Sequence, residues 1–155
     1  MNMQVLEKSR RRPLPGDIFV YKMPDDRFRF GRVVRMDAVI GAFQGCTMVY
    51  LYRPSSPSPL PVPVLRPTEL IVPPEITNLQ PWLRGYFQTV EHRQLTQEDM
   101  LPVDCFYSPT FRRYYDADDN ILPERSEPCG IHALSSYRTI DDAISEALGI
   151  PLAPD

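Results

Sequence analysis

No run in this chain approaches the ~18 consecutive apolar residues that a membrane-spanning helix requires. The N-terminus also lacks the apolar core of a secretion signal. Cysteine is scarce: Cys46, Cys105 and Cys129 are odd in number and widely spaced, a poor framework for a disulfide-stapled secreted fold, so reduced thiols are the expectation. A surplus of positive charge is absent too. The formal charge of −3 argues against a general polyanion binder and suits a basic partner. Together these absences predict a soluble, cytoplasmic protein with no membrane partner. No serine elbow, glycine-rich phosphate loop or HExxH motif occurs, which leaves the common hydrolase and nucleotide-binding signatures unrepresented.

Proline, by contrast, is plentiful. Eighteen prolines in 155 residues, roughly twice ordinary usage, favour short elements and ordered loops over long helices. The chain has the length of one domain, residues 1–155, and is large enough to build a core without staples. Its clearest stretch is residues 16–34, where Ile18 and Val20 alternate with Phe19 and Tyr21, and Phe28, Phe30, Arg32 and Val34 alternate on the return. Pro24-Asp25-Asp26 supplies the turn. Residues 46–52, CTMVYLY, form a third strand: Cys46, Met48, Tyr50 and Tyr52 face one way, Thr47, Val49 and Leu51 the other. Both faces are largely apolar, which predicts a strand covered on both sides.

The remaining segments follow from their composition. Residues 1–14 read as a flexible basic lead ending in Arg10-Arg11-Arg12, and residues 53–67 as a stiff, proline-rich connector on a polyproline II path. Short strands are expected at 69–72, 103–107 and 111–115, a short helix capped at Thr96 and ended by Pro102, and a turn at 116–120. Trp82 is expected to anchor the second half of the fold. A final helix begins at Thr139, places Ile140, Ala143, Ile144, Ala147 and Leu148 on one side, and stops at Gly149. The predicted fold is α+β and mostly β: an antiparallel meander or SH3-like partly open barrel in the N-terminal half, with additional strands and a C-terminal amphipathic helix.

Candidate chemistry is sparse. Asp116, Asp118 and Asn120 occupy alternate positions of a calcium-binding loop and Glu127 the twelfth, but Ile121 stands where that loop needs glycine and Pro123 interrupts it. A charged hairpin turn accounts for the same residues. Cys129-Gly130-Ile131-His132 has half-site metal spacing without partners nearby. No catalytic, cofactor or metal residue is assigned; a cysteine enzyme using Cys105 or Cys129 ranks last. A nucleic-acid or peptide module, with Phe28, Phe30 and Tyr52 as an aromatic platform and Arg10–Arg12 as a basic arm, is the alternative function.

The first hairpin also carries a resemblance. Gly16-Asp17-Ile18-Phe19, Met23-Pro24-Asp25-Asp26-Arg27-Phe28 and Phe30-Gly31-Arg32-Val33 resemble the N-terminal signature of the immunity protein 26 family of bacterial polymorphic toxin systems. Residues 69–74, the cluster at 82–87 and Ser136-Tyr137-Arg138-Thr139-Ile140-Asp141 follow in an order similar to that family's, while the prolines of 55–63 depart from it. The resemblance implies a non-enzymatic cytoplasmic protein that binds and neutralises a cognate toxin by steric and electrostatic blockade. It transfers no contact residues. On charge complementarity alone, Asp25, Asp26, Asp116, Asp118 and Asp119 are the candidates for touching a basic toxin.

Overall fold

The alternation in residues 16–34 produces the expected hairpin. In the computed structural model, which describes all 155 residues, β1 (Asp17–Lys22) pairs antiparallel with β2 (Phe28–Ile40), setting Val20 opposite Phe30. The turn places Asp26 at φ 60°, a left-handed conformation that aspartate tolerates better than most residues. β3 (Phe43–Ser56) returns along β2 and completes the meander. It is longer than its apolar heart, because it starts directly after Gly41-Ala42 and pairs as far as Ser56; the proline-rich connector begins only there.

Two edge strands extend the meander. β4 (Glu75–Thr77) lies outside β3 and β5 (Gln88–His92) outside β1, giving the order β4-β3-β2-β1-β5 in an open sheet. Of the two forms expected, the open meander is the one found. The strand predicted at 69–72 is only a lone bridge from Leu70 to Tyr52; the ladder resumes after Pro73-Pro74, where every residue again has an amide to donate.

Alternation then sorts the sheet into two cores. Phe19, Tyr21, Val33, Val49 and Leu51 point to one face, and Ile18, Val20, Phe30, Met48, Tyr50 and Tyr52 to the other. Each such side chain contributes about 1.5–3 kcal/mol on burial. The first face is covered by α1 (Gln80–Leu83) and α2 (Tyr137–Leu148), which bring Trp82, Ile140 and Ile144. Phe19 stacks on Phe87 with centroids 4.2 Å apart and meets Trp82 edge-on at 5.2 Å. Gly31, directly opposite Phe19, makes this possible: a Cβ there would lie 2.2 Å from the ring's Cζ.

The second face is covered by a smaller sheet. β6 (Cys105–Ser108), β7 (Arg113–Tyr115) and β8 (Ile121–Leu122) run antiparallel, and β9 (Cys129–Ile131) joins β6 in parallel, in the order β8-β7-β6-β9. Phe106 and Ala117 enter the shared core, as do half-buried Val62 and Leu65 of the proline-rich segment. Gly130 repeats the device of Gly31: it faces Phe106, and a Cβ would approach the Pro74 carbonyl oxygen to 2.4 Å.

Three further segments differ from expectation. The lead is tied down, since Met3 is buried and the amides of Gln4, Leu6 and Ser9 donate to the carbonyls of Lys22, Gly85 and Trp82. Val5, Glu7, Lys8, Leu14 and the Arg10–Arg12 run stay exposed. α2 is capped by Ser136, whose Oγ accepts from the Thr139 amide, so it starts before Thr139 and ends at Gly149 with φ 69°. The short helix expected after Thr96 is a single 3-10 turn, Gln97–Asp99. No helix is long and apolar enough to cross a membrane.

Candidate functional site

The acidic candidates fall into two separate places. Asp25 and Asp26 sit at the β1–β2 tip, whereas Asp116, Asp118 and Asp119 form the β7–β8 turn. Asp25 binds Arg29 near the start of β2, and Asp118 binds Arg35 six residues farther along the same strand. That spacing sets the two arginine backbones up to roughly 20 Å apart at ~3.3 Å per residue. One compact patch is therefore not what the fold builds.

Within each place the carboxylates have distinct tasks. Asp25 Oδ2 lies 3.0 Å from Nη2 of the buried Arg29 and neutralises it. Burial works against the Asp25 carboxylate, yet the bonds from Arg29 and Arg27 together hold its pKa below the ordinary value. Asp26 is 79% exposed and only loosely paired with Lys22, at 3.7 Å. In the other turn, Asp116 Oδ1 accepts the amides of Asp118 and Asn120, both at 2.9 Å, and so shapes the loop. Asp119 Oδ1 lies 2.6 Å from His132 Nε2, and that imidazole stacks on Tyr115. Asp118, 57% exposed, is held below the ordinary carboxylate range by Arg35, whose Nε also reaches Asp37 at 2.8 Å. No three or more His, Cys, Asp or Glu side chains converge as a metal cage; the charged hairpin turn is the arrangement present.

Asp104 belongs to the same neighbourhood but looks inward. The Tyr50 hydroxyl donates to its Oδ1 at 2.8 Å and accepts the Leu101 amide at 3.2 Å, bridging the two sheets. Burial raises the Asp104 pKa, more than the Tyr50 bond lowers it.

The proposed aromatic platform is not available for stacking. Phe30 and Tyr52 are buried because the small sheet covers their face. A half-exposed apolar surface exists elsewhere. Leu122, Tyr114, Tyr107 and Ile131 are register partners across β8, β7, β6 and β9, on the side away from Phe106 and Tyr115. The two tyrosine rings lie 5.2 Å apart, and Ile131 is 54% exposed. The sequence hint was the Phe106/Tyr107 and Tyr114/Tyr115 alternation, whose direction only the packing could settle.

Two of the cysteines meet. Cys105 and Cys129 are register partners on β6 and β9, both buried, with their Sγ atoms 3.1 Å apart. Burial and the neighbouring Cys105 push the Cys129 thiol up to about 12. Cys46 lies apart from them, in β3 of the large sheet. A cavity of about 520 Å³ opens between β9 and α2, lined by Cys129, Ile131, Ile71, Ala143 and Glu146.

The model of a family described as Immunity protein 26 matches residues 14–113. This span takes in β1 to β6 and ends on the first residue of β7, so it does not reach the 136–141 segment. No curated protein and no solved structure matches the chain.

Proposed function

The chain belongs to the immunity protein 26 family, and from that membership we propose that it acts in the cytoplasm as the non-enzymatic inhibitor of one cognate polymorphic toxin. The carrying observation is the family match over residues 14–113, which embraces the whole large sheet. The toxin is held by surface complementarity: the immunity protein occludes its working surface, and acidic loops meet basic groups there. Asp25, Asp26, Asp116, Asp118 and Asp119 are the contact candidates. Asp26 and Asp118 are the pair with most carboxylate surface to offer, at 79% and 57% exposure. Asp116 acts by shaping its turn, and Asp25 by neutralising Arg29.

Co-expression with a toxic domain found encoded in a neighbouring gene tests the class directly, because a cognate immunity protein restores growth and co-purifies. Calorimetry and stopped-flow binding then test the surface. Asp26→Lys together with Asp118→Lys should weaken binding tenfold or more, mainly through a slower, less salt-sensitive association. Unchanged affinity and salt dependence would remove the acidic loops from the interface while leaving the class intact.

A further inference from the structure

We propose that Cys105 and Cys129 are a dithiol site that closes into a reversible intramolecular disulfide, fastening β9 to β6. Register partners on adjacent strands sit about 4.8 Å apart, inside the ~4.4–6.8 Å Cα separation that a disulfide spans. Here the side chains already point at each other, with Sγ atoms 3.1 Å apart. Cys46 is in the other sheet and does not compete.

Access is one-sided. Cys129 lines the open cavity of about 520 Å³ beside α2, whereas Cys105 is fully buried. A low-molecular-weight disulfide entering there is attacked by the Cys129 thiolate and loses one of its halves as a thiolate. Cys105, deprotonated in turn, attacks the Cys129 sulfur of that mixed disulfide and displaces the second half. Two protein thiols thus give up two protons and two electrons, and the small disulfide is reduced to two thiols. The high pKa of the buried Cys129 keeps the thiolate fraction small near neutrality, so the reaction is slow there and quickens as pH rises.

The bond has a defined structural effect. β9 is a three-residue edge strand, paired in parallel with β6 alone. The disulfide converts that pairing into a covalent one and encloses residues 106–128, which hold the 116–120 turn and the Tyr107–Tyr114 pair. This does not depend on the toxin-binding reading.

The test is to equilibrate the reduced full chain with oxidised glutathione at pH 8.5, both natively and during refolding from denaturant, then alkylate and map peptides. The expected result is that free thiols fall from three to one, the survivor being Cys46, and that a Cys105–Cys129 peptide pair appears. Cys46→Ala should behave identically, and Cys105→Ser should trap Cys129 as its glutathione adduct. In the oxidised protein the His132 amide, bonded to the Tyr107 carbonyl beyond β9, should exchange at least tenfold more slowly. Formation of the bond by either route supports the site. Three free thiols after both treatments, or a bond that includes Cys46, overturns it.

Discussion

The two sheets of this protein are built from similar residues but live under different constraints. Strands β2 and β3 run for 13 and 14 residues and are packed on both sides, whereas no strand of the small sheet exceeds four residues and its outer face is only partly covered. A long strand between two cores has a single workable register, because a one-residue slip would exchange every side chain between faces. The family match follows that division: it contains all of the large sheet and stops where β7 begins. The match takes in most of the buried residues, whereas β8, β9 and α2 lie beyond it.

The two glycine–phenylalanine contacts put this comparison at risk most directly. Gly31→Val would drive a side chain into Phe19, whose ring is pinned by Phe87 and Trp82, and should cost about 3 kcal/mol or more. Thermal unfolding followed by near-UV circular dichroism should show a large, global loss. Gly130→Ala meets the Pro74 carbonyl oxygen, but the strand that must shift is a short edge, so about 1–2 kcal/mol is expected, with faster hydrogen exchange confined to β9. Equal global losses from the two changes would mean that the sheets form one cooperative unit.

Between those two in size is the clasp that covers the large sheet. Asp141, fully buried in α2, accepts the amides of Asn2 at 2.9 Å and Met3 at 2.6 Å. Asp141→Ala leaves both donors without that acceptor and should cost about 2–3 kcal/mol by urea titration. Asp141→Asn, which retains one acceptor oxygen, should cost less.

The junction between the sheets predicts a pH signature. Burial raises the Asp104 pKa in the folded protein, so its contribution falls as pH rises through the ordinary carboxylate value of about 4 toward the folded value. Asp104→Asn abolishes that slope, and its urea midpoint relative to the parent should improve between about pH 3.5 and pH 6.5. Asp118 runs the other way. Its pKa is lowered by Arg35, so the stability it adds is present above the ordinary carboxylate value and vanishes as pH falls through the folded one. As an exposed pair it is the smallest effect: Asp118→Asn should cost ~0.5 kcal/mol or less at neutral pH and nothing measurable in strong acid.

The same division decides what could be read from the chain. In residues 46–52 both sets of alternating side chains were apolar, so both faces of β3 were visible beforehand. β5 was not, because Gln88–His92 is mostly polar and its place is set by pairing with β1. β8 and β9, at two and three residues, are too short for any period to register. The aromatic platform failed for a related reason: Phe30 and Tyr52 look available until a second sheet closes over them, and although β6 and β7 were foreseen as strands, their packing onto this face was not. The wide separation of the acidic turns and the meeting of Cys105 with Cys129 are both products of register between distant segments. Neither leaves a local trace.

The bond from Met3 to Asp141 also has a consequence in time. Synthesis runs from the N-terminus, at roughly 5–20 residues per second, so the amides of Asn2 and Met3 wait about ten seconds or more before their acceptor is made. Until then Phe19, Trp82 and Phe87 can assemble on the ribosome, but the face that α2 covers stays open. The fold closes on the helix, and a chain cut short before residue 141 would hold the family's sheet without the element that seals it.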